Sequence, residues 1–123
     1  MSEKKSYTIA DLLAMPDDAL NALAAELRGY TLSKTKIFWR DANEEVICHR
    51  RSFAPATDRN QIGELFDWAV KEHDMGFMIR LGGGYPRVVC LGDAWITIKG
   101  NSARAKTAAF CAAMLAQAGR LTQ

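Results

Sequence analysis

The sequence predicts an α+β fold, with a small antiparallel sheet sandwiched between helices. Three observations carry that expectation. From Asp58 onward, Ile62, Leu65, Phe66, Ala69 and Val70 recur at i, i+3, i+4, i+7 and i+8, the spacing of one helix face. Three short segments rich in β-branched residues follow, joined by links too short for a parallel crossover, so they predict a meander. An alanine-rich stretch then closes the chain. On this reading residues 57–98 form the architectural centre, and residues 17–123 form one α-β-α layered domain behind an N-terminal extension, residues 1–16.

Thr8 is placed to cap a short turn, IADLLAM, that Pro16 ends, because the residue before proline avoids the helical region. Asp17 is expected to cap the next helix, in which Leu20, Leu23, Ala24 and Leu27 make one apolar stripe. Gly29 suits its C-terminus, since glycine takes positive φ freely. Tyr30 to Arg40 is rich in β-branched and aromatic residues and predicts a strand or two short extended pieces, an extra contribution to the sheet. Asp41 to Asn43 make a turn, and Glu45 to Cys48 an extended return. His49 to Pro55 read as connector.

Thr57 or Asp58 then opens the central helix, with Gln61 placed for a capping box. Gly76 is expected to end it. The three strands are read as Phe77–Leu81, Arg87–Leu91 and Ala94–Lys99, with turns at Gly82–Gly84, Gly92-Asp93 and Gly100-Asn101. Ser102 caps a last helix reaching about Gln117, with Cys111, Met114, Leu115 and Ala118 on one face and Phe110 at its edge. One helix is expected on each face of the meander.

Bulk properties set limits on function. At 123 residues the chain is long enough for a hydrophobic core of its own. Its 49% apolar content is ordinary for a globular protein, which argues against disorder. Uninterrupted apolar runs are far shorter than a membrane span requires, and the charged start has no signal-like apolar run. A net charge of +2 is small for a dedicated nucleic-acid binder. Cys48, Cys90 and Cys111 are odd in number and lack metal-site spacing, which predicts reduced, mostly buried thiols in a cytoplasmic protein.

The order of these pieces resembles the phage "ABA sandwich" domain proteins and the related NinX-like proteins of phages and prophages. The matching features are LAAELRGY, IFWRD, the F-A-P-A-T-D opening with Trp68 in the helix that follows, Gly76-Phe77 leading into strands, and the closing TAAFCAAMLAQ. They cover residues 18–118. The resemblance implies a phage or prophage origin and an α-β-α fold. It implies no enzymatic activity and carries no site residues with it.

Weighing the chemistry-bearing residues leads to a binding protein. Gly82–Gly84 could cradle a phosphate, but a strand follows where a helix N-terminus would be needed, so a hairpin turn is the better account. Any small ligand near Gly82–Tyr85 would need a closed polar pocket there. His49 and His73 lack convergent ligands. The acidic pairs Asp17-Asp18, Glu44-Glu45 and Glu64-Asp67 read as caps, turns or a solvent face. No catalytic residue, cofactor or metal ligand is therefore expected.

The segment 34–59 is the polar feature that stands out. Lys34, Lys36, Trp39, Arg40, Arg50, Arg51 and Phe53 interleave cations with aromatics and are the candidate partner-binding residues. Such a mixture suits an acidic host protein, where Trp and Arg are common hot spots. It also suits nucleic acid, gripped at phosphates and stacked at bases. The plainer alternative is a solvated connector whose aromatics tuck into the core. The expectation that follows is a non-enzymatic phage or prophage accessory protein that binds a host protein, for instance as an anti-defence inhibitor or modulator. The alternative is a small nucleic-acid-binding module using the same connector. The chain is expected to be a monomer, or a homodimer through its third strand if that strand lies at the sheet edge.

Overall fold

Local capping signals set most of the helix ends in the computed structural model, which describes residues 5–92 and 95–122. Helix α1 (Ile9–Ala14) begins with a full capping box. Thr8 accepts from the Asp11 amide at 3.0 Å, and Asp11 accepts from the Thr8 amide at 2.9 Å. Helix α2 (Asp17–Arg28) starts one residue earlier than expected. Pro16 is its N-cap and no side chain caps it, so Asp17 serves the first turn through its charge. Gly29 closes α2 at φ 97°, the left-handed conformation predicted for it.

The segment 30–49 folds into a sheet of its own, of three short antiparallel strands. They are β2 (Thr31–Leu32), β3 (Phe38–Arg40) and β4 (Val46–His49), in the order β2-β3-β4. A bulge between Trp39 and Arg40 shifts their register. Asp41 makes the β3–β4 turn by accepting from the amides of Asn43 and Glu45. A single 3-10 turn, Arg50–Ser52, leaves the sheet.

Helix α3 (Arg59–His73) is capped by Asp58, which accepts from the amides of Asn60 and Gln61. The reciprocal arm of the expected capping box is absent. Gln61 instead accepts from the Ala54 amide and donates to the Ser52 carbonyl, which fastens the connector to the helix. Asp74, at φ 53°, ends α3, and Gly76 opens the next strand rather than ending the helix. Val70, read as part of the apolar face, is exposed.

The meander is present as predicted: β5 (Gly76–Arg80), β6 (Arg87–Leu91) and β7 (Ile96–Lys99), antiparallel, in that order. Gly83 and Gly84 turn β5 into β6 at φ 82° and 99°. Ala94, expected in the third strand, and Asp93, expected in the turn before it, lie outside the described residues.

Helix α4 (Ala103–Gln117), capped by Ser102 on the Ala105 amide, is the centre of the molecule. Its residues from Thr107 to Leu115 are all buried, not one face of them. A helix apolar on every side must be enclosed, and α1, α2, α3, β6 and β7 enclose it. Its alanines let these neighbours approach, while Phe110, Cys111 and Leu115 fill the space between. Ala118, expected on the apolar face, is exposed beyond the helix end.

Residues 7–16 are part of this domain rather than an extension. Leu12 is fully buried, and β1 (Tyr7–Thr8) pairs in parallel with β8 (Leu121–Thr122).

The α+β class and the antiparallel sheet are therefore as the sequence predicts. The helices, however, gather on one side of the meander. Cys90 donates its Sγ–H to the Ala109 carbonyl of α4 at 3.5 Å. Phe77 lies directly opposite Cys90 on β5, so it points the same way. Phe66 of α3 stacks on that Phe77, centroids 4.1 Å apart. Thus α3 meets the sheet from the α4 side, at β5, and no helix among the described residues covers the other face.

Candidate functional site

The connector's geometry follows from its turns. Lys36 adopts φ 60° in the β2–β3 turn, and its amide donates to the Ser33 carbonyl at 2.8 Å. This turn carries Lys34 and Lys36 into solvent. The Arg50 amide donates to the Ile37 carbonyl, and the Arg51 amide to Nδ1 of His49. Both guanidinium groups therefore stand out from the 3-10 turn, exposed. Asn21 of α2 accepts from the Ala56 amide at 2.8 Å, which holds the connector against the helix.

Two of the expected contact residues are core residues. Trp39 is 3% and Phe53 9% exposed. Alternation explains Trp39: on β3 it faces inward, with Leu32 and Cys48 as cross-strand partners. Phe53 packs edge-on against Trp39 and Tyr30. Arg40 is half-buried, and its Nε makes no hydrogen bond among the described residues. What the segment presents to solvent is Lys34, Lys36, Arg50 and Arg51, with Ile37, Phe38, Val46 and Ile47 as exposed apolar neighbours.

Two depressions adjoin this surface. A groove of about 790 Å³ is lined by Arg50 and Arg51, by Asp17 and Asp18, and by Trp39 and Phe53. Its charges are of both signs, so its field is weaker than the basic run alone suggests. Asp17 is also engaged by Arg104 at 2.5 Å. A smaller hollow, about 290 Å³, lies between α2, β4 and α3 beside Cys48. Arg28 roofs it, its guanidinium 4.4 Å from the centroid of Trp68 and 5.1 Å from that of Tyr30.

Burial raises all three thiols: Cys48, Cys90 to about 12, and Cys111. None is thereby primed as a nucleophile, which needs a lowered pKa. His73 is engaged by Gln117, and His49 by the Arg51 amide and the Phe38 ring. Among the described residues no three His, Cys, Asp or Glu side chains converge as a metal site would require.

A second cationic surface escaped the sequence reading. Arg80, Arg87 and Lys99 are directly opposite one another across the meander. The signal was present only as scattered cations at strand ends. It became a row once the register was fixed.

Compared with protein-family models, curated proteins and solved structures, the chain matches none. Among the described residues, no helix is long and apolar enough to cross a membrane.

Proposed function

We propose that this chain is a non-enzymatic accessory protein that acts by docking an extended, acidic segment of a partner protein onto the β4 edge. The observation that carries the reading is the composition of that edge. Val46 and Ile47 are exposed on the outermost strand of β2-β3-β4, and Arg50 and Arg51 follow directly. An unpaired edge supplies main-chain hydrogen bonds, exposed apolar side chains supply area, and flanking cations select an acidic sequence. Lys34 and Lys36 extend the cationic rim. The resemblance to phage and prophage proteins points to a host protein in the host cytoplasm as the partner. The nucleic-acid alternative is less suited to this connector, because Trp39 and Phe53 are closed off from bases and Phe38 is the ring left exposed there.

The test is capture from host lysate by the tagged chain, followed by titration of the purified captured protein. Arg50→Glu with Arg51→Glu, and separately Val46→Asp, should each weaken direct binding at least tenfold while circular dichroism stays unchanged. Equal binding by the variants and the parent chain would refute the reading.

A further inference from the structure

The face of the meander turned away from α4 has three rows. Arg80, Arg87 and Lys99 form the first, and Met78, Val89 and Thr97 the second. Leu91 begins the third, and Trp95 directly precedes β7, two residues before Thr97, the offset that returns to one face of an extended chain. Trp95 is 68% exposed, the most exposed tryptophan in the chain.

The first row is energetically unfavourable as it stands. Like charges directly opposite on neighbouring strands destabilise a sheet, and here three stand side by side. No carboxylate on the described residues of β5, β6 or β7 offsets them, and none of the three takes part in a salt bridge among the described residues. Asp74, which precedes β5, lies at the opposite end of these strands from the row. Residues 76–100 hold three cations against one acid, which equals the whole net charge of +2. The guarding of sheet edges by cations does not explain the row, because Arg87 is on the central strand. Arg87 is also held in place, donating from Nη1 to the Gly82 carbonyl at 2.6 Å. The ring of Tyr85 lies 5.7 Å from its guanidinium and 5.1 Å from the Lys99 ammonium.

We propose that this face binds single-stranded nucleic acid, with the cation row on the phosphates and Trp95 stacked on a base. The row spans two inter-strand spacings, about 10 Å, room for roughly two or three phosphates. Met78, which is exposed, gives an apolar contact beyond it, over the buried Val89. Trp95 stands roughly 13 Å along the strands, from a rise of about 3.4 Å per residue, at the reach of a neighbouring base. An antiparallel sheet face with exposed rings and flanking cations is a surface on which single strands stack without sequence preference. The site is distinct from the β4 edge.

The test is fluorescence titration with an oligothymidylate of about 12 nucleotides, within the usual site size, over a series of salt concentrations. Binding should quench tryptophan emission, and log K should fall with log salt at a slope near −2, about −0.7 for each of three phosphate contacts. Trp95→Ala should lower affinity about tenfold, the order of one lost stacking contact, and leave the slope unchanged. Arg80→Gln with Lys99→Gln should reduce the slope to about −0.7 and raise the thermal midpoint, because the like-charge contacts are relieved. A merely structural row would give a lower midpoint. Arg50→Glu should leave oligonucleotide binding intact. The proposal is overturned by no binding at low salt, by an unchanged slope in the Arg80/Lys99 variant, or by duplex DNA binding equally well with Trp95→Ala without effect.

Discussion

Nδ1 of His73 lies 2.6 Å from Oε1 of Gln117, and Nε2 of Gln117 donates to the His73 carbonyl at 3.2 Å. This reciprocal pair joins the last residue of α3 to the last residue of α4. It also satisfies one of the carbonyls that a helix C-terminus leaves without a partner. Trp68 packs edge-on against the same imidazole, 4.7 Å away. Gln117→Ala should therefore destabilise the chain by about 1–2 kcal/mol, since it strands two part-buried polar groups at once. Urea unfolding measures this. A change below about 0.3 kcal/mol would mean the pair is replaced by water without loss.

Arg104 does more than pair with Asp17. It also donates to the carbonyls of Leu13 and Met15, at the end of α1. The ion pair itself is partly exposed and worth little in water. Arg104→Ala should therefore cost about 1–2 kcal/mol, and Asp17→Ala under about 0.5. Equal losses in parallel denaturation curves would show that the carbonyl contacts contribute nothing.

Cys90 and Cys111 make stability fall in alkali. Burial raises both thiols, Cys90 from 9.0 to about 12, so the fold keeps them neutral while the unfolded chain ionises them. Their contribution is complete below the unfolded value and is lost as pH rises through the folded one, at about 1.4 kcal/mol per pH unit for each thiol. Unfolding free energies between about pH 8.5 and 11 should be less steep in Cys111→Ala than in the parent chain, and an identical slope would count against this account. A thiol reagent on the native protein should label Cys48, which is half-buried, before the other two.

Trp39 and Arg50 should separate stability from binding. Trp39→Ala empties a core position and should cost about 3–5 kcal/mol. Arg50→Glu, on an exposed turn, should change stability by less than about 0.5 kcal/mol. Thermal and urea unfolding of the two variants check this. A strongly destabilised Arg50→Glu would place that side chain in the packing.

Much of the fold is local and was legible residue by residue. Thr8 with Asp11, Asp58, Ser102 and Gly29 act as caps because capping depends on a few adjacent atoms. The strands of the meander were legible because links of a few residues allow only antiparallel neighbours. The misreadings concern what each element meets. Sequence order groups Trp39 and Phe53 with the cations beside them, yet alternation and side-chain packing turn them inward. Helix α4 was read as one-faced, though its alanines and Phe110 are enclosed on all sides.

The amino-acid sequence alone determined the α+β class, the caps at Thr8, Gly29, Asp58 and Ser102, and the antiparallel meander, since these depend on contacts a few residues apart. Only the tertiary structure decided that α3 and α4 share one face of that meander, that residues 7–16 complete the core, and that Arg80, Arg87 and Lys99 form a row. Each of these depends on register or on packing between distant segments. Those are set by the summed burial of many side chains, a quantity no short stretch of sequence contains.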